Sequence, residues 1–293
     1  MGKHFEFTGV TRTINGITLH KIRATKTFTL PCGVTVRSGD EGGWIEKKEN
    51  LSSNAWVSDN AMVYGNAQVS GNARVSGNAQ VYENAWVSCD AQVYGNAWVS
   101  GKVRVFSDAQ VYGNAMVYGN ALVYGNAVVY GNAWVYGDAW VYGDAQVFGN
   151  ARVYENARVY GNARVSGDAW VSENAWVSGN AIISDSARAS GKAQVYGDAW
   201  MTGDAWVSCN DHIIQIGLIG SRKETVTFFR NKSGIIKVAW GCFKGTIDEF
   251  RADVQKTHGD SRIAKVYLAA ADLAELHIDV SPVEEEKENE NRE

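Results

Sequence analysis

The stretch "VYGNAVVYGNAWVYGDAWVYGDAQVFGNARVY", Val123 to Tyr154, repeats a six-residue unit with so little variation that it decides the fold. Counted in sixes from Asn54, the register runs without insertion to Cys209 and gives 26 units of the form N/D-A-x-V-Y/S-G. Ala holds the second position in 25 of them, Val103 being the exception, and Val holds the fourth in 23, the exceptions being Ile183, Ala189 and Met201. A short, strict period means coils that stack and bury their faces only against their neighbours.

The pattern also orients the unit. Alternate residues of a strand point to opposite sides, so Ala and Val share one side and x and Tyr/Ser share the other. The x position holds Trp, Gln, Arg, Met, Leu, Val and Ile. A close-packed interior does not take Arg in one coil and Trp in the next. The uniform Ala/Val side is therefore the inside. The Gly-Asn or Gly-Asp pair falls at the bend, where positive φ is inexpensive for Gly and tolerated by Asn and Asp.

The pattern "V-Y-G-N-A-x", as in Val117 to Leu122, resembles the hexapeptide repeat of left-handed parallel β-helices, a family that includes acyltransferases and γ-class carbonic anhydrases. The resemblance implies a mainly β fold: a left-handed parallel β-helix, or triangular solenoid, with three units per coil. Left-handedness rests on the resemblance alone, since parallel crossovers are generally right-handed. The 26 units then make between eight and nine coils. At roughly 4.8 Å per coil the rod is about 40 Å long.

The enzymes of that family use histidine, as a general base or as a zinc ligand. The five histidines here are His4, His20, His212, His258 and His277, and none lies between residues 54 and 209. No repeat-borne base or three-His metal site is therefore expected. The Asn, Asp and Glu of the repeats read as solvated bends. No catalytic residue, metal ligand or cofactor is expected, and the chain reads as a non-enzyme. The rival reading is an acyltransferase-like enzyme with a site at a subunit interface.

Function is then sought on the outer faces. Taking every third unit sorts the x residues onto three sides. One reads Trp56, Arg74, Gln92, Gln110, Val128, Gln146, Arg164, Ile182, Trp200. The second carries Trp98, Trp134, Arg152, Trp170, Arg188 and Trp206, and the third Trp86, Trp140, Arg158 and Trp176. Trp and Arg dominate interface hot spots. The residue after Val is aromatic in ten consecutive units from Phe106 to Tyr160, including Tyr118, Tyr124, Tyr130, Tyr136 and Tyr142. These residues form the candidate interaction surface. A monomer rarely exposes so large an apolar patch, so a homo-oligomer is expected, with a trimer first because trimers are common in the resembled family.

The flanks differ from the repeats. Residues 1–51 read as an N-terminal β cap, with "FEFTGV" and "ITLHKIRATKTFTL" as strands and "RSGDEGGWIEKKENLS" as a Gly-rich turn; a small ligand site around Asp40, Glu41 and Trp44 is the functional alternative. The β-helix spans 52–209. Residues 210–278 read as a small α+β domain, with "HIIQIGLIG", "TVTFFRN" and "IIKVAWGCF" as three strands. Thr246 and Glu249 form a capping box opening one helix, and "RIAKVYLAAADLAELHI" is a second. A Cys/His pair of Cys242 and His258, beside Ser221 and Arg222, is set aside because Cys242 sits in a packed strand end. Residues 279–293 read as a disordered acidic tail.

Net charge is −4, which argues against nucleic-acid binding. No apolar run reaches membrane-spanning length, no secretory signal is expected at the N-terminus, and the four scattered cysteines read as free thiols in a reducing cytoplasm. The features "TLHKIRA", "GDEGGWIE", "GSRKETVTFFR", "GCFKGTIDEF" and "THGD" also resemble uncharacterised proteins of phages and prophages of gut bacteria. That resemblance implies the cytoplasm of a bacterial host, or a virion. The expected function is a self-associating scaffold or binding protein that captures a host partner or small-molecule signal, as in counter-defence, through the Trp/Arg faces or the C-terminal domain. A virion structural component is the other reading.

Overall fold

The computed structural model describes residues 3–220 and 223–281. Ser221, Arg222 and the acidic segment 282–293 lie outside the described residues. Each six-residue unit forms one two-residue strand, x followed by Val, and then a bend, as at Trp134–Val135. From Trp56–Val57 to Trp206–Val207 there are 26 such strands. Each pairs in parallel with the strand three units on, so Trp134 faces Arg152 and Val135 faces Val153. Three sheets of 12, 8 and 9 strands result, and the protein is a parallel β-solenoid of about nine turns. The three outer rows read from the sequence are the three sheets.

The inside is Ala and Val, fully buried from Ala55 to Val207. Burying one Val side chain stabilises by roughly 1.5–3 kcal/mol, so a column of them holds the rod. Backbone N–H groups of each coil donate to carbonyls of the next, as Trp134 N to Ala151 O and Tyr136 N to Val153 O at 2.9 and 3.0 Å. The bends need positive φ. Gly131 has φ 72, and a Cβ there would stand 3.0 Å from Gly149 N. At Asp59, Glu83 and Asp185, which replace this Gly, the carboxylate accepts from the N–H of the Gly one coil on: Gly77 (2.9 Å), Gly101 (2.6 Å) and Gly203 (3.1 Å).

The N-terminal cap continues one solenoid sheet. Strands Phe5–Ile14 and Ile17–Ala24 form a hairpin around Asn15 and Gly16, both at positive φ, the geometry a two-residue hairpin turn requires. The hairpin pairs with strand Glu41–Ile45, which in turn runs parallel to Met62–Val63. "GDEGGWIE" is therefore not a turn. Gly42 and Gly43 are buried in that strand, and a Cβ on Gly42 would lie 2.5 Å from Ile22 Cγ1 and 2.6 Å from Val57 O. Gly is there for close approach rather than for bending. The parallel stack thus begins ahead of residue 52. Asp40 accepts from Arg37 N within its own turn, Glu41 lies 3.7 Å from Lys21, and Trp44 lies under Arg12. Buried His4 fills the end of the core, its Nε2 bonded to Ala55 O at 2.8 Å, edge-on to Phe5 and Phe28.

The C-terminal module has four antiparallel strands, not three: Ile213–Ile219, Glu224–Arg230, Ile236–Trp240 and Phe243–Thr246. The run "IIKVAWGCF" is broken by a two-residue turn at Gly241 and Cys242, with Trp240 facing Phe243. Cys242 is consequently exposed at a hairpin tip rather than packed. Helices α1 (Ile247–His258) and α2 (Arg262–His277) follow, and Thr246 caps α1 with Glu249 as the sequence indicates. The sheet is a two-faced layer. Phe229, Ala239 and Ile213 close the end of the solenoid core, while Val226, Phe228 and Val238 pack on the helices. Free N–H groups of the last coil are met by the module: Thr227 Oγ1 accepts from Trp200 N at 3.0 Å and Asn210 Oδ1 from Gln194 N at 2.9 Å. Among the described residues no helix is long and apolar enough to cross a membrane.

Candidate functional site

The candidate surface residues fall into ladders that run along the rod. On the 12-stranded sheet the order is Trp134, Arg152, Trp170, Arg188, Trp206. The Arg152 guanidinium carbon lies 5.0 Å from the Trp134 ring and 5.1 Å from that of Trp170; Arg188 lies 4.0 Å from Trp170 and 4.8 Å from Trp206. Trp98 lies further along the same sheet. On the 8-stranded sheet Arg158 lies between Trp140 (4.6 Å) and Trp176 (5.2 Å), and Arg104 lies 5.3 Å from Trp86. These spacings match the rise of a strand ladder, so the cations stack on the rings along the rod axis. Trp170 thus has an arginine on either side.

The tyrosines stack in the same way, one ladder per side. Tyr118 and Tyr136 continue to Tyr154, Tyr124 and Tyr142 lie between Phe106 and Tyr160, and Tyr130 sits between Tyr112 and Phe148. Neighbouring rings are 4.9 to 5.1 Å apart and nearly parallel. Burial in the stack raises the phenol pKa of Tyr118, Tyr136 and Tyr154, so these hydroxyls stay protonated as donors. The cross-strand stacking contributes to holding the coils together.

One coil stands out. Arg152, Arg158 and Arg164 occupy successive units, one on each sheet. They form a collar of guanidinium groups around the rod, with Trp134, Trp140 and Phe148 beneath it. Among the described residues no carboxylate lies within ion-pair distance of Arg104, Arg152, Arg158, Arg164 or Arg188, and none of their guanidinium groups donates a hydrogen bond, although each backbone N–H is paired with the next coil. Their ring-facing sides are occupied while their N–H edges lack acceptors. Trp86, Trp98 and Trp176 remain about 40% exposed and are the most open of the set.

The corners are exposed bends, and they also hold an ordered arrangement. Asn60, Asn78, Asn96, Asn114, Asn132 and Asn150 pass a hydrogen bond from coil to coil, each Nδ2 donating to the Oδ1 18 residues on, until Asp168 accepts the last one at 2.9 Å. An amide both donates and accepts, whereas a carboxylate only accepts. Asp138, Asp144 and Asp198 terminate shorter ladders in the same way. Among the described residues no group of three or more His, Cys, Asp or Glu is placed to hold a metal ion.

Comparison with known proteins points to the same architecture. The family model of the YdcK beta solenoid repeat matches residues 67–83, 91–105, 109–125, 117–131, 121–137, 129–143, 145–158 and 157–173. Those segments lie inside the stacked coils and include the arginine collar. No curated protein matches the chain.

Proposed function

We propose that this chain is a non-enzymatic, self-associating β-solenoid scaffold that captures an acidic partner through its Arg- and Trp-bearing faces. The observation that carries the reading is the set of guanidinium groups with no acceptor, stacked on rings that fix their direction. Pre-oriented arginine donors suit carboxylates, and ordering them in advance removes part of the entropy of binding. The rod offers its own complement, because its corners carry Asp and Glu such as Asp138, Asp144 and Glu155. A second copy laid alongside would supply acceptors, with a trimer as the first expected assembly. In its finer form the reading is of a phage or prophage protein in a bacterial cytoplasm that occupies a host protein or its small-molecule signal.

Light scattering at low and high salt tests it. A discrete oligomer is expected, weakened by salt and reduced to a monomer by combining Arg152→Ala, Arg158→Ala and Arg164→Ala. Trp134→Ala with Trp170→Ala should weaken it as well, because the guanidinium groups lose their platforms. A monomer at every concentration reached, or an oligomer indifferent to both sets, would show that the ladders serve only the rod.

A further inference from the structure

The C-terminal module contains a cavity of about 290 Å³ that the scaffold reading does not use. Its size falls near the lower end of the roughly 300–1,000 Å³ typical of small-molecule sites. Three strands and a helix build it. Trp240 and Phe243 stand either side of the hairpin turn, Asp253 and His258 lie on one side of α1, and Glu224 opens the neighbouring strand. The turn itself forms part of the lining, with exposed Cys242 at its tip.

The lining has a consistent chemistry. Trp240 lies 4.6 Å from Tyr267, and Tyr267 stacks on His258 at 5.8 Å, so rings back the cavity. The described lining residues include two carboxylates and no Lys or Arg. The Glu224 carboxylate makes no hydrogen bond or ion pair with any described residue, and its Oε2 is buried. A buried carboxylate oxygen without a donor is destabilising, and such oxygens are few in folded proteins. Aromatic walls attract cations through the ring faces, and carboxylates pair with N–H cations in a planar, two-bond geometry. A small flat cation satisfies both.

We propose that this cavity binds a small organic cation of the amidinium or guanidinium class, held by Glu224 against the Trp240 and Phe243 rings. Asp253 adds negative charge at the rim, and no described Lys or Arg lines the cavity to offset it.

Three probes of one shape and different charge test the proposal by calorimetry on the full chain: benzamidine, benzamide and benzoate. Benzamidine should bind, benzamide should bind at least about tenfold more weakly, the share expected of one charge-assisted hydrogen bond, and benzoate should not bind. Glu224→Gln should bring benzamidine down to the level of benzamide while Tm is retained. Should that variant fail to fold, alkylation of Cys242 in the unaltered protein gives a second reading: benzamidine should slow it and benzoate should not. Equal binding of all three probes, no binding of benzamidine together with unprotected Cys242, or unchanged affinity in a folded Glu224→Gln would each overturn the proposal.

Discussion

In the middle of the solenoid, Ala133 and Val135 stand where Ala151 and Val153 stand one coil on, all fully buried and in the same surroundings. In the C-terminal module Phe228, Trp240 and Tyr267 meet Phe250 edge-on while Trp240 and Tyr267 tilt against each other, and no position repeats another. The rod reuses one solution, so its interior carries almost no position-specific information and variation is confined to the outside. The module is single-copy, so each side chain has its own neighbours, and irregular packing leaves room for a cavity. Repetition yields a surface for interaction, whereas irregularity yields a pocket.

The largest expected break in this contrast comes from a buried charge. Val135→Asp places a carboxylate in an interior that has no partner for it, which costs about 3–5 kcal/mol. Because coils depend on their neighbours, circular dichroism should show loss of strand signal along the rod. Val226→Asp in the module should remove the helical signal and leave most of the strand signal. Equal damage from both would mean that rod and module fold as one unit.

A smaller effect separates two bends. Gly131→Ala adds a Cβ 3.0 Å from Gly149 N at φ 72, whereas Gly203 has φ 65 and nothing within 4 Å. Both changes strain the backbone by about 1 kcal/mol, and only the first adds a clash. Urea midpoints should rank Gly131→Ala below Gly203→Ala, and equal midpoints would place the constraint in φ alone.

Acid should act on the ends and spare the middle. His4 is buried at one end and His212 at the other, where its Nε2 is 3.4 Å from Nη1 of fully buried Arg230. Burial lowers the pKa of both below the usual 6.5, and Arg230 lowers that of His212 further. The unfolded chain therefore takes up protons first, so this stability is present above about pH 6.5 and is lost as pH falls from there through the lowered folded values. Hydrogen exchange at falling pH should quicken in the N-terminal cap and the C-terminal module, while the coils of residues 54–209, which contain no histidine, hold their protection. Uniform quickening would reassign the acid sensitivity to the corner carboxylates.

The smallest effect concerns the asparagine ladder. Asn132→Asp keeps the acceptor for Asn114 and loses the donor to Asn150. At an exposed corner the change should be worth less than about 1 kcal/mol. Asp168→Asn should change almost nothing, because the terminal position only needs to accept. A loss at Asp168 equal to that at Asn132 would mean the ladder direction is not fixed.

The coils, their three sheets and the inward Ala/Val were legible because each unit states the same pattern again, and period-two alternation fixes which side is buried. Elsewhere local composition misled. Gly42 and Gly43 read as a bend, yet they serve a strand that passes too close to Ile22 and Val57 for any side chain. The run from Ile235 to Phe243 is almost continuously apolar, and only Gly241 signals the two-residue turn that exposes Cys242. The alternation of Trp with Arg was visible at a spacing of three units. That the guanidinium groups stack along the axis, and so present edges instead of faces, depends on side-chain direction, which composition does not encode. The cavity was not legible at all, because Glu224, Trp240 and Asp253 come from three elements with no common motif.

The three-unit coil also sets how the molecule can change over generations. Adjacent units are close to interchangeable, so single units can be gained or lost without harming the interior. Three units alter only length. One or two units also turn everything beyond them by a third or two thirds of a revolution. The angle between the N-terminal hairpin and the C-terminal cavity is therefore a remainder, the number of units divided by three. A lineage can swing one end of the molecule around the other in discrete steps, with no new contact to invent at either end.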